Sequence, residues 1–281
     1  MKILLNQKLT RMFKNFKISP DERKLFAKSN SSDYDINNLK GQVRNVIAVE
    51  NKNLDNSPIQ FMPFTSEKIF QISDFNKSGE MLLYREVYEG NIPFMKNEYI
   101  YDLNGKLLEE LIYDEDDNII DSVIFKHNIQ GQMIEEFRKN YDIRLLAFYD
   151  ENGYLNKVKE ESELQGYGEK FYIIKRENEN ISEIEIIEDN KLTNKSFYKY
   201  DDFGNVRKVE HYNGVGDLLS SELIEYDVEN NKSKITSQNR FRTTLYSYDY
   251  SYDDCGNWIN NKFYVNGEFN SETNRKIQYY Q

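Results

Sequence analysis

The stretch that decides the fold is "YKYDDFGNV", residues 198–206. Two tyrosines one residue apart place both rings on one face of a strand, because side chains alternate along it. Asp201 favours a turn, since its side chain can accept hydrogen bonds from backbone amides two residues on. Gly204 provides the left-handed conformation that ends a type I turn with a bulge. These nine residues therefore predict a strand, a tight turn and the start of a return strand.

This pattern recurs, with Asp or Asn three residues before a glycine and an apolar residue two residues after it. The six glycines are Gly79, Gly105, Gly131, Gly153, Gly204 and Gly256, separated by 26, 26, 22, 51 and 52 residues. Weaker copies at 113–118 and 226–231 indicate a subunit of about 13 residues. The predicted structural turn residues are Tyr101, Asp102, Gly105, Tyr149, Asp150, Gly153, Tyr200, Asp201, Gly204, Tyr252, Asp253, Gly256 and Trp258. A single hairpin cannot bury its ring face, so stacked copies are expected in one sheet.

The segments "YIYDLNGKL", "YKYDDFGNV" and "YSYDDCGNW" resemble YD repeats of the RHS type. The stretch "LKGQVRNVIAVE" resembles the opening strand of such proteins, and "GNWINNKFYVNGEFNSETNRKIQYY" resembles their closing unit. The resemblance covers residues 39–281 and implies a mainly β fold, an antiparallel hairpin-repeat sheet that is open or curled. In large toxins such arrays form a shell around a toxic domain. The few copies in this chain argue against a cargo-enclosing role.

Residues 1–38 are predicted to form a separate helical segment and linker. Apolar residues from Leu5 to Phe16 recur at helical spacing, with lysine and arginine between them. The stretch "SPDERKLFAKS" has the N-cap, proline and acidic first turn of a second short helix. The basic amphipathic helix has two alternative contacts, the acidic body of the same chain, which is favoured, or an acidic membrane surface.

The formal net charge is −11, and it is unevenly distributed. Residues 1–45 hold ten Lys or Arg against four Asp or Glu, so the remaining residues hold 27 against 44. An acidic body repels phosphate backbones, which argues against nucleic-acid binding. The charge fits a basic protein partner, although solubility alone would also explain it. No apolar run reaches the roughly 18 residues of a membrane helix, and no signal peptide is evident. The sequence therefore predicts no transmembrane segment and a cytoplasmic location.

Few side chains are candidates for chemistry. His127 occupies the aromatic position of the repeat and is expected to pack as a ring, whereas His211 is expected to be exposed beside a turn. The single cysteine, Cys255, lies at a turn tip and excludes an intramolecular disulfide. The acidic run 113–118 lacks the glycine and glutamate of a helix-loop-helix calcium site. We therefore predict no catalytic residue, metal or cofactor.

The leading hypothesis is a non-enzymatic protein-interaction domain, in its most specific form an immunity or partner protein for a basic bacterial toxin. The alternative is a glycan-binding protein of the cell envelope, and an enzyme using paired carboxylates is the third hypothesis. The binding surface is expected in segments that break the repeat, at 51–66, 163–171 and 212–219.

Overall fold

A computed structural model describes residues 39–52, 68–88, 92–164, 168–177 and 180–281. Within these ranges the chain forms eighteen β-strands and no helix. The strands, numbered β1 to β18 in chain order, are Val43–Lys52, Lys68–Phe75, Met81–Tyr88, Ile92–Tyr101, Leu107–Tyr113, Ile119–His127, Met133–Arg138, Ile143–Tyr149, Leu155–Ser162, Lys170–Glu177, Asn180–Glu188, Lys191–Tyr200, Val206–Asn213, Leu218–Tyr226, Lys232–Asn239, Thr243–Tyr252, Trp258–Val265 and Glu268–Tyr279.

Side-chain alternation explains why these segments form strands. In β12, Ser196 and Tyr198 are buried, whereas Lys195 and Lys199 project from the other face and are more exposed. The predicted run of Val43 to Val49 likewise forms β1. Period-two patterns of this kind give each strand one buried and one wetter face.

The sheet closes into a barrel. Each strand pairs antiparallel with the next along the chain, and β1 pairs antiparallel with β18. The closing register joins Val46 to Ile277 and Ala48 to Arg275. The predicted open or curled sheet is therefore wrong. Local repeat patterns specify neighbouring hairpins, but the pairing of the first strand with the last is a long-range contact that removes both free edges.

The buried face is the concave, inward face, where side chains converge. A continuous apolar cluster runs along it from β1 to β13, and its members Val123, Val158 and Tyr172 are fully buried. Charged residues share this face with the apolar ones, since Glu110 and Glu136 are also fully buried. The core is therefore a layer lining the barrel wall that contains both apolar and ionisable groups.

Two sequence predictions about organisation have different outcomes. The helical segment predicted within residues 1–38 lies outside the described residues.

The segment 212–219, predicted to break the repeat, instead contains another turn of the same type. There Asn213 accepts a hydrogen bond from the Asp217 amide at 2.8 Å, and Gly216 has φ +93°. Asn213, Gly216 and Leu218 match the repeat pattern, and the interval to Gly204 is a half-step of 12 residues.

Candidate functional site

Seven described turns lie together at one end of the barrel. They are the turns that lead from an even-numbered to an odd-numbered strand, and an up-and-down topology places all of them at the same end. We call this set the turn rim; it comprises residues 76–80, 102–106, 128–132, 150–154, 201–205, 227–231 and 253–257. The turns carrying Asp102, Gly105, Asp150, Gly153, Asp201, Gly204, Asp253 and Gly256 all belong to it.

The turn at 201–205 shows how the sequence builds the rim. One carboxylate oxygen of Asp201 accepts hydrogen bonds from the backbone amides of Phe203, at 2.9 Å, and Asn205, at 2.8 Å. Gly204 has φ +83°, and its amide donates to the Asp201 carbonyl at 3.1 Å. These bonds to the charged form lower the pKa of Asp201 even though desolvation opposes the shift. Asp201 therefore stabilises the turn through its hydrogen bonds to these backbone amides.

The repeat-position tyrosines connect neighbouring hairpins. The Tyr200 hydroxyl donates to the Ile181 carbonyl at 2.8 Å, and burial raises the pKa of Tyr200 to about 12. Tyr101 and Tyr149 donate in the same way to the carbonyls of Met81 and Met133, each at 2.7 Å. These bonds attach each hairpin to the one before it.

At the last repeats the tyrosines bond to turn carboxylates. Tyr252 donates to Asp227, and Tyr279 donates to Asp253. Trp258 begins β17, and the Arg275 guanidinium lies 3.3 Å from the centroid of its ring. Side-chain contacts therefore continue from the repeats into the closing strand.

The chain enters the barrel at the turn rim. The Lys40 amide donates to the Asn257 side-chain oxygen at 2.7 Å, and the Asn257 amide group donates back to the Lys40 carbonyl at 2.8 Å. The Lys40 ammonium pairs with Glu229 in the adjacent turn. The described chain therefore begins, at Leu39, beside the turns at 227–231 and 253–257.

The tips of this rim carry exposed apolar side chains. Leu103, Ile129, Phe203 and Val228 are between 91% and 105% exposed. Phe203 and Val228 lie on neighbouring hairpins, two strands apart, which corresponds to roughly 10 Å. Large apolar side chains at full exposure on adjacent turns form a surface suited to contact with another apolar surface. We call Phe203 and Val228 the apolar pair.

Charge on the rim is concentrated around the apolar pair. The turns 201–205, 227–231 and 253–257 read DDFGN, DVENN and DDCGN, with six acidic and no basic residues. The turns 76–80, 102–106 and 128–132 read NKSGE, DLNGK and NIQGQ, each with no net charge, and the turn 150–154 reads DENGY, with two acidic residues. One sector of the rim is thus both acidic and apolar.

Two histidines and one cysteine were the sequence candidates for chemistry. His211 is half-buried on the inward face and not exposed; its Nδ1 lies 2.8 Å from the Ser196 hydroxyl, and burial lowers its pKa. His127 ends β6 and is partly buried, and Cys255 is exposed in the rim. The three residues lie on separate elements: β13, β6 and the turn 253–257. Among the described residues, no cluster of three His, Cys, Asp or Glu side chains has metal-binding geometry.

The inward face contains a belt of carboxylates that the sequence did not reveal. Glu136 accepts from Arg138 Nε at 3.0 Å, and Glu160 accepts from the Tyr172 hydroxyl at 2.6 Å. Glu110 accepts from the Asn97 amide at 2.5 Å. Their inward position could be found only from strand register, since glutamates occur on both faces of these strands.

Aromatic rings form a wall on the inward face of β16 and β17. Tyr248 stacks on Phe263 with ring centroids 5.0 Å apart and on Tyr250 at 6.2 Å. Tyr250 also contacts Trp258 at 5.9 Å. The ring faces are largely used in packing against one another, as expected for cross-strand aromatic pairs.

The outward face carries an ion-pair network on β10, β11 and β12. Lys195 lies 3.0 Å from Glu183 and 2.7 Å from Glu185, and Lys175 contacts both carboxylates. The hydrogen bond from Lys195 is the largest influence that lowers the pKa of Glu185 to about 2. Basic side chains facing hydrocarbon at mid-membrane cost about 2–4 kcal/mol each. This stretch of the outward face is therefore suited to water or a polar partner.

Comparison with solved structures finds partial likenesses. A porin-like protein from Bacteroides uniformis aligns with a TM-score of 0.47 and 10% identity over 85% of this chain and 98% of that one. A porin-like protein from Bacteroides vulgatus has a TM-score of 0.33 and 11% identity over 85% of this chain and 98% of that one. TcdB2-TccC3-TEV aligns with a TM-score of 0.29 and 13% identity over 73% of this chain and 14% of that one. No family model matches the chain, and no curated protein matches it. At these TM-scores the likenesses do not assign a function.

Two predictions about location require correction. The absence of an apolar run of about 18 residues tests only for membrane-spanning helices, so it is no basis for predicting the absence of a transmembrane segment or a cytoplasmic location. The described strands form a closed antiparallel barrel, to which a test for helices does not apply, so both predictions are withdrawn. No helix among the described residues is long and apolar enough to cross a membrane.

Proposed function

We propose that the chain is a non-enzymatic protein-interaction barrel that binds a basic partner through the acidic sector of its turn rim. The observation that carries the proposal is the apolar pair, Phe203 and Val228, exposed on adjacent turns that hold four carboxylates, with two more in the next turn, 253–257. Apolar contact supplies affinity, whereas the surrounding carboxylates select partners of positive charge. An immunity or partner protein for a basic toxin is the most specific form of this proposal. The RHS-type resemblance of the repeats supports that form.

The acidic residues of the rim fall into two groups, those that hold the turns together and those that are exposed to a partner. Asp201 and Asp253 hold their turns through backbone amides. Asp202 and Asp254, the next residue in each turn, are exposed and project from the same tips. A partner can therefore pair with Asp202 and Asp254 without disturbing the hydrogen bonds that form the rim.

The test uses two synthetic amphipathic peptides of the same length, with identical apolar residues and either Lys or Glu at every charged position. Binding to the full chain is measured by isothermal titration calorimetry at low and high salt. We expect the Lys peptide to bind and the Glu peptide not to bind. Affinity should fall at high salt, because the Debye length shrinks from about 10 Å at 0.1 M to about 3 Å at 1 M.

A matched pair of variants locates the site. Phe203→Ser combined with Val228→Ser removes the apolar pair, whereas Val215→Ser removes a side chain that is 85% exposed on a turn at the opposite end. Burying one large apolar side chain contributes about 1.5–3 kcal/mol, so the double variant should bind at least tenfold more weakly. Equal binding of the two peptides, or of the rim variant and the Val215→Ser control, would sink the proposal.

Glycan binding is a second candidate, favoured by the aromatic wall. Tyr248, Tyr250, Phe263 and Trp258 offer ring edges on the inward face, and amphipathic aromatic rings recur at binding surfaces. Binding on a glycan array that is lost in Trp258→Ala, together with failure of the Lys peptide to bind, would favour this candidate.

A further inference from the structure

We infer that the basic segment at residues 1–20 of this same chain docks on the acidic sector of the turn rim and competes there with a partner. The inference rests on the proposed function in one respect, since both place a basic, partly apolar segment on the same surface. It differs in naming an occupant that is covalently attached to the barrel.

The position at which the described chain begins supports this occupant. Lys40 is bonded to Asn257 and paired with Glu229, so Leu39 lies between two of the three acidic turns. Phe13 and Lys40 are 27 residues apart, and a random-coil chain of that length has a root-mean-square span of about 30 Å. A segment attached at this point reaches the apolar pair without crossing to the opposite end of the barrel.

Charge complementarity identifies the part of the segment that docks. Residues 1–20 contain five basic residues and no acidic one, namely Lys2, Lys8, Arg11, Lys14 and Lys17. The three acidic turns contain six carboxylates and no basic residue. Because the segment is tethered, its effective concentration at the rim is in the millimolar range, so even a weak contact is substantially occupied.

Apolar complementarity accompanies the charge. Met12, Phe13 and Phe16 are interspersed with the basic residues, and the rim presents the fully exposed apolar pair, Phe203 and Val228. Contact between them would remove from water two side chains that are over 90% exposed in the described structure. The contact accounts for the apolar pair and for the acidic residues around it.

The native Cys255, exposed in the third acidic turn, provides the test. Asn15→Cys is introduced into the full chain, which leaves Met12, Phe13 and Phe16 in place. The rate of intramolecular disulfide formation with Cys255, with diamide as the oxidant, is followed on non-reducing gels. The rate is compared in this parent, in the parent carrying Phe203→Ser and Val228→Ser, and in the parent carrying Val215→Ser. Docking predicts a rate at least tenfold lower without the apolar pair and unchanged with Val215→Ser. Equal rates in all three would mean that the tether alone brings the thiols together, which overturns the inference.

A competition measurement separates this inference from the proposed function. Lys8, Arg11, Lys14 and Lys17 are replaced by Gln, and the Lys peptide is titrated into this variant and into the unmodified chain. Docking predicts at least tenfold tighter peptide binding to the variant, because the competing segment has lost its charge. Equal binding to both chains overturns the inference while leaving the proposed function intact. Absence of binding to both contradicts the proposed function, and the cross-linking rates then decide the inference alone.

Discussion

Replacing Gly204 with alanine tests the left-handed turn on which every repeat depends. Gly204 has φ +83°, and a Cβ atom at this position would meet no heavy atom within 4 Å. The substitution therefore adds only the backbone cost of a left-handed L-residue, about 1–2 kcal/mol. We expect the free energy of unfolding to fall by that amount, measured by urea denaturation followed by circular dichroism.

A second glycine separates backbone strain from steric contact. Gly256 has φ +80°, but its added Cβ would lie 3.0 Å from both the Glu229 carboxylate and the Lys40 ammonium. Gly256→Ala should therefore cost more than Gly204→Ala, by about 0.2–1 kcal/mol for the displaced surface ion pair. Gly204→Asn is the matched control, since Asn230 occupies the equivalent position of a weaker copy at φ +67°. A neutral Gly204→Ala, or equal costs at the two glycines, would refute this description of the rim.

Three other predictions concern stability, each measured by chemical denaturation. Tyr200→Phe removes the hydrogen bond to the Ile181 carbonyl and should cost about 1 kcal/mol; no loss would mean that the bond is absent. Burial raises the pKa of Tyr149 and Tyr200 to about 12, so stability that is complete below pH 10 should fall between pH 10 and 12, by about 1 kcal/mol per tyrosine after solvent screening. A flat profile above pH 10 would contradict that burial. Arg138→Met leaves the fully buried Glu136 without its guanidinium and should cost about 3 kcal/mol. Adding Glu136→Gln to this variant should recover part of the loss.

Local chemistry made the turns and strands predictable from sequence. The spacing of Asp201 and Gly204 specifies a turn because each residue type has a distinct role in it, and alternation around Tyr198 and Tyr200 specifies a strand. The turn at 213–217 also retains the pattern, with Asn213, Gly216 and Leu218 in the expected positions, so the prediction that 212–219 breaks the repeat was wrong. Turns held by local hydrogen bonds are therefore predictable from sequence wherever the Asp or Asn and the glycine are present.

Closure and burial of charge were not predictable in the same way. The β1–β18 pairing joins residues more than 200 positions apart, and no motif in either strand specifies its partner. The inward carboxylate of Glu136 and the burial of His211 depend on strand register, which is set by the bulges beside the turns. The acidic sector of the rim was visible only after the topology had placed three separate turns side by side.

Barrel closure brings the chain entry at Lys40 to the acidic sector of the rim. The most direct measurement is a pulsed EPR distance between spin labels at Val49→Cys and Asn274→Cys in a Cys255→Ser background. These two residues are paired across β1 and β18, and paired strands lie about 5 Å apart. A closed barrel predicts one short distance, on the order of 15 Å once the label arms are included. An open sheet of eighteen strands would place β1 and β18 about 80 Å apart, and a distance of that order would contradict barrel closure.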